Sequence, residues 1–210
     1  MVNKPLAALI AVAALSLASL AQAQSANFQA AQAMIERTQL NGVFEPLEDD
    51  SVIKVRHAAS GMACLFGADD RRAEIVAFAS PVPRGDDVGC VSDTTDHFTT
   101  VYATRYPEPK SPEQALAEAV ACLRHRYPDA QATPTLLSVT SDSLAPIHAA
   151  HFLITVDDQR WITSALVAEH DGWIFKVRYT AAAADDDALS RHQLEANLRL
   201  TYALLSTARE

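Results

Sequence analysis

The chain is poor in almost every feature that marks a metal, nucleotide or nucleic-acid site. Its three cysteines stand at positions 64, 90 and 122. They contain no C-x₂₋₄-C element, which excludes a cysteine-built zinc site. There are only six glycines in 210 residues, and none forms a phosphate-cradling cofactor loop. A G-x-S-x-G nucleophile elbow is missing, as is a His-Glu metalloprotease start and a D-x-D-x-D-G calcium loop. Basic residues are outnumbered, 17 Lys and Arg against 26 Asp and Glu, for a net charge of −9. No basic stripe with interleaved aromatics is present. Such a chain is repelled by phosphate backbones and anionic lipid, so nucleic acid is not an expected partner.

Long apolar runs are also missing, with one exception at the start. Lys4 precedes an uncharged apolar run at 6–20, followed by Ala21-Gln22-Ala23. That order reads as a secretory signal peptide over 1–23, cut between Ala23 and Gln24. The run falls short of the roughly 20 residues that a membrane span needs. No cysteine lies near the cut to carry a lipid. The expectation is a periplasmic or secreted protein with no membrane span after cleavage. Residues 24–210 then form a single domain with a sizeable core.

An exported chain meets oxidising conditions. Three cysteines allow at most one internal pair. Cys64 and Cys90 lie in strand-like, turn-rich sequence and Cys122 in a helical pattern, which favours Cys64–Cys90. Three unpaired thiols are the alternative.

A first helix is expected over 25–38, with Phe28, Ala31, Ile35 and Thr38 on one face. Asn41-Gly42 ends it, and Pro46 with Glu48-Asp49-Asp50 reads as a polar connection. Short strands follow at 51–57, 62–66, 74–79, 88–91 and 97–105. Ser111-Pro112-Glu113-Gln114 is a capping box with proline at the first helical position. It opens a helix whose stripe is Leu116, Ala119, Val120, Leu123 and Tyr127, closed by Pro128. Another strand is expected at 136–140. A meander at 148–156, 161–168 and 173–180 comes next, with Asp171-Gly172 as a hairpin turn. Its last strand alternates Trp173, Phe175, Val177 and Tyr179 with Ile174, Lys176 and Arg178. The facing set on the middle strand is either Ile162/Leu166 or Trp161/Val167. Asp185-Asp186-Asp187 starts a final helix, with Leu194, Leu198, Thr201, Tyr202 and Leu205 as its apolar stripe. Runs of strands parted by single helices indicate an α+β fold with antiparallel sheet.

Trp161-Ile-Thr-Ser-Ala, then Asp171-Gly-Trp-Ile-Phe-Lys-Val-Arg-Tyr-Thr180, then an acid-started helix, resembles small exported bacterial proteins without an assigned activity. Arg56-His-Ala-Ala-Ser-Gly-Met-Ala-Cys-Leu-Phe66 and Arg84-Gly-Asp-Asp-Val-Gly-Cys90 are similar to their front half. The resemblance implies a PsbP/Mog1-like α+β sandwich and an exported location. It brings no catalytic residues.

Several constellations remain as candidates for chemistry. His57 and Ser60 put an imidazole beside a hydroxyl, with Asp86 or Asp87 as an orienting acid if Cys64 pairs with Cys90. Turn and strand-end roles are the plainer reading. Ser51-Val-Ile-Lys54 matches S-x-x-K, but strand positions i and i+3 face opposite ways. His148 and His151 would share a metal on a helix and diverge on a strand. Aspartate doublets at 49–50, 69–70, 86–87 and 157–158 suit turns and caps. Trp161, Trp173, Phe175 and Tyr179 are core residues or the lining of an apolar pocket. The reading is a non-catalytic exported accessory or binding protein without a cofactor. Its partner would be an envelope protein or a small ligand. A small hydrolase using His57 and Ser60, and a scaffold binding through an open sheet edge, are the rivals.

Overall fold

The computed structural model describes residues 24–78, 82–136 and 144–207. The expected signal peptide lies outside them, as does all but the first residue of the strand expected at 136–140. Within them the chain is an α+β fold with two antiparallel sheets and three helices.

Helix α1 (Ala26–Thr38) starts where Ser25 accepts a hydrogen bond from the Phe28 amide. It ends on Gln39, whose left-handed backbone turns the chain. The three-stranded sheet runs in the order β1 (Phe44–Leu47), β2 (Ile53–His57), β3 (Ala63–Phe66). Pro46 therefore lies in a strand and not in a polar connection. It sits opposite Val55 on an edge strand, the place where a missing N–H is tolerated.

The larger sheet has the order β4 (Arg72–Ala77), β5 (Asp87–Asp93), β6 (His97–Thr104), β10 (Trp173–Ala182), β9 (Gln159–His170), β8 (His148–Val156), β7 (Gln131–Thr133). Both meander turns have two residues with positive φ. Asp157 and Asp158 stand at 50° and 61°, Asp171 and Gly172 at 51° and 77°. That is the twist a two-residue hairpin turn needs. The register pairs Leu166 with Val177 and Ile162 with Ala181, which selects Ile162/Leu166 as the set facing the main core. The other set is not left to water. Val167 packs with Ile174 and Ala115 under helix α2 (Pro112–Arg126).

The main core lies on the opposite face. Trp173, Phe175, Val177 and Tyr179 of β10 meet α1, the small sheet and helix α3 (Asp186–Leu205) there. The Cys64–Cys90 disulfide forms, with Cα atoms 6.0 Å apart. It ties β3 of the small sheet to β5 of the large one. Cys122 is free and exposed on α2.

The capping box of α2 is complete. Ser111 Oγ accepts from the Gln114 amide at 3.2 Å, and Gln114 Oε1 accepts from the Ser111 amide at 3.0 Å. Ser111→Ala should cost about 1 kcal/mol. Thermal melting checks it, and an unchanged midpoint would show that α2 is held by its sheet contacts alone.

Helix α3 corrects the expected stripe. Its buried positions are Ala188, Leu189, Gln193, Ala196, Asn197, Leu200, Ala203 and Leu204. Leu194, Leu198 and Leu205 are 41%, 54% and 55% exposed. The face on the sheet mixes Ala188, Ala196 and Ala203, which permit close approach, with Leu189, Leu200 and Leu204. Its two buried amides are satisfied. Gln193 bonds the Leu136 amide and the Pro134 carbonyl, and Asn197 bonds the Gln193 carbonyl. Leu194, Leu198 and Leu205 are left on the outside.

A groove beneath helix α3

Leu198 and Leu205 of α3 border a groove of about 500 Å³. Its walls come from α3 and β3, its floor from β5 and β6. Leu65, Leu198 and Leu205 form an apolar rim, each more than a third exposed. On the floor Cys90 lies opposite Val101, and Ser92 opposite Thr99, so an apolar row gives way to a polar one.

The polar end is elaborate. Tyr179 donates its hydroxyl proton to Glu195 Oε2 at 2.7 Å, and the same hydroxyl meets His192 Nδ1 at 2.9 Å. Arg199 donates to Glu195 Oε1 at 3.0 Å and lies 2.7 Å from His97 Nε2. The His97 ring stacks on Tyr179 with centroids 5.3 Å apart. Burial holds the Tyr179 hydroxyl well above its ordinary pKa, reinforced by the Glu195 carboxylate. Burial also lowers His97, helped by the Arg199 charge. Burial alone would raise Glu195, but hydrogen bonds from Tyr179 and Arg199 with the Arg199 charge hold it below the usual carboxylate range. Five buried side-chain polar atoms lack a partner among the described residues. Three belong to groove-lining residues: Thr99 Oγ1, Arg199 Nε and Thr201 Oγ1.

The residues singled out from sequence fall elsewhere. His57 and Ser60 do meet, with Nδ1 and Oγ 2.8 Å apart. The Ser60 amide donates to Nδ1 at 3.3 Å and the Met62 amide to Ser60 Oγ at 3.2 Å. The ring is 1% exposed and Ser60 8%. Phe44 and Trp173 flank the ring with centroids within 5.4 Å. Burial lowers its pKa to about 4; the Gly85 backbone and Asp86 oppose the shift, and Arg105 adds to it. Asp87 instead accepts from Thr104. Ser51 and Lys54 both turn to Asp49.

His148 and His151 diverge as strand geometry requires. His148 faces Glu113 of α2 at 3.4 Å. His151 Nδ1 lies 2.8 Å from Ser164 Oγ, and burial lowers its pKa to about 4. Among the described residues no three His, Cys, Asp or Glu side chains gather as a metal set. Asp49 caps the Ser51–Val52 turn and Asp185 caps α3. Trp173, Phe175 and Tyr179 are core, while Trp161 is half-buried.

Sequence reading missed Ser92, Thr99, Glu195 and Arg199, and took Thr201 for part of an apolar stripe. His97 and Arg199 stand 102 positions apart, and no local motif joins them. The one signal was the expected α3 stripe, whose Leu198, Thr201, Tyr202 and Leu205 line the groove and do not face the core.

No protein-family model matches the sequence, one of PsbP/Mog1 type included, and no curated protein matches it. Among solved structures the chain is similar to LpqN of Mycobacterium tuberculosis, described as involved in cell envelope biogenesis. The identity is 16%, over 64% of this chain and 84% of that one, with a TM-score of 0.34. No helix among the described residues is long and apolar enough to cross a membrane.

Proposed function

We propose that the protein is an exported, non-catalytic accessory protein that carries an amphiphilic small molecule in the α3 groove. The observation that carries this reading is the pairing of an exposed leucine rim with unpartnered buried polar atoms in one cavity. Exposed apolar patches mark binding surfaces, and ligand pockets combine apolar walls with a few convergent polar groups. Export is supported by the leader expected from the sequence over 1–23 and by the Cys64–Cys90 bridge, which persists in oxidising compartments. A large antiparallel sheet with helices on both faces supports the sandwich of PsbP/Mog1 kind. We read His57 and Ser60 as a pin that fastens the β2–β3 turn, because an enclosed, weakly basic ring is poorly placed to meet a substrate.

Native mass of the protein from the exported fraction tests the reading. It should equal residues 24–210 plus a ligand that denaturation releases. Leu198→Arg puts a charge on the rim at an exposed position and should remove the added mass without lowering the melting temperature. A bare chain that also fails to take up a neutral apolar dye such as Nile red would overturn the proposal.

A further inference from the structure

We propose that the groove selects a single-chain amphiphile with an uncharged hydrogen-bonding head, such as an acyl ester or long-chain alcohol, over a free fatty acid. This rests on the groove being the binding site.

The size sets the first limit. About 500 Å³ lies in the lower half of the range for small-molecule pockets, roughly 300–1,000 Å³. That suits one chain and not two.

The floor sets the orientation. The Cys90–Val101 row and the exposed leucines offer only apolar contact. The Ser92–Thr99 row is polar and continues across the sheet, since Thr99 pairs with Tyr179 on β10. Thr99 is 1% exposed, yet its hydroxyl has no partner among the described residues. The buried atoms Arg199 Nε and Thr201 Oγ1 likewise have no partner among the described residues. A buried donor or acceptor left unmet costs free energy, so this end is built for a head that both gives and accepts hydrogen bonds.

The charges decide what kind of head. Among the described residues Arg199 is the one cation lining the groove, and Glu195 already neutralises it at 3.0 Å. Behind the floor, Asp70 accepts from the Ser92 hydroxyl. Asp69 and Asp70 act on His97 as negative charges as well. The field at the polar end is therefore negative. A carboxylate there would meet repulsion and would compete with Glu195 for Arg199. An ester or alcohol meets neither cost.

The test is displacement of Nile red from the exported protein at neutral pH by 1-monolauroylglycerol and by laurate. The ester should compete at a concentration at least about tenfold lower than laurate, the margin expected from one unpaired or repelled polar contact. Thr99→Val keeps the shape and removes the hydroxyl, so it should weaken the ester by about tenfold and narrow its lead over laurate. Leu198→Arg should abolish displacement by both. Laurate competing equally or better overturns the head-group inference while leaving the binding site in place. Dye uptake that persists in Leu198→Arg, or no uptake at all, overturns the groove reading itself. A concentration-dependent dimer that Leu198→Arg abolishes, without lipid displacement, assigns the groove to a second copy and also overturns the proposal.

Discussion

Replacing the bridge with Cys64→Ala and Cys90→Ala together is expected to lower stability by roughly 3 kcal/mol. The bridged residues are 26 positions apart, and closing a loop of that length removes about this much unfolded-state freedom on the chain-entropy account. For a chain of this size the melting temperature should fall by roughly 6–12 °C. The loss should also be uneven. The bridge is the covalent tie between β3 and β5, whereas β10 is held between β6 and β9 by backbone pairing. Amide exchange in β3 should quicken far more than in β10. Both cysteines line the α3 groove, so apolar ligand uptake should weaken too. A melting shift equivalent to under about 1 kcal/mol would mean that the two sheets are held by packing and that the bridge adds little.

The second large effect is acid sensitivity above the carboxylate range. His57 and His151 each have a folded pKa near 4 against an ordinary 6.5. Burial is the leading cause for both, and both rings are at most 2% exposed. The unfolded chain takes up these two protons below about pH 6.5, while the folded chain refuses them until about pH 4. Folding is therefore penalised as pH falls through that window, and the stability they allow is fully present above it. Each shift corresponds to about 3 kcal/mol when complete. At pH 5 the two together should remove about 4 kcal/mol, a large share of a typical 5–15 kcal/mol. The melting temperature should fall by roughly 10 °C between pH 7.5 and 5. His151→Gln removes one titrating group and should shrink that fall by about half, whatever it does to stability at neutral pH. A flat profile down to pH 5 would show that both rings accept a proton in the folded state, and a fall of half the size that one does. Glu195, Asp49 and Glu113 have lowered pKa values. They add losses of the same sign only below the ordinary carboxylate range.

Local chemistry was legible where a few neighbouring residues settle the matter. The capping box at Ser111, the acid cap at Asp185 and the Asp171-Gly172 turn each depend on side chains within about four positions. The period-two alternation of β10 identified its core face for the same reason. Pro46 was misplaced because its cost depends on whether its strand lies at an edge, which is a property of the sheet. The α3 stripe was misplaced because the helix carries two sets of leucines, and a count of apolarity does not say which set meets the sheet. Leu189, Leu200 and Leu204 do so, beside small alanines and beside Gln193 and Asn197, whose amides find partners there.

The sequence by itself determined the caps and the hairpins, since these follow from short-range sterics and hydrogen bonding, and its pattern of strands and single helices indicated the class of the fold; it favoured the Cys64–Cys90 pairing without deciding it. Which face of α3 meets the sheet was decided only by the tertiary structure, as was the gathering of His97, Tyr179, Glu195 and Arg199 around one groove. Those residues lie on β6, β10 and α3. Their proximity depends on sheet order and on how closely a helix can approach it, quantities that no stretch of neighbouring residues encodes.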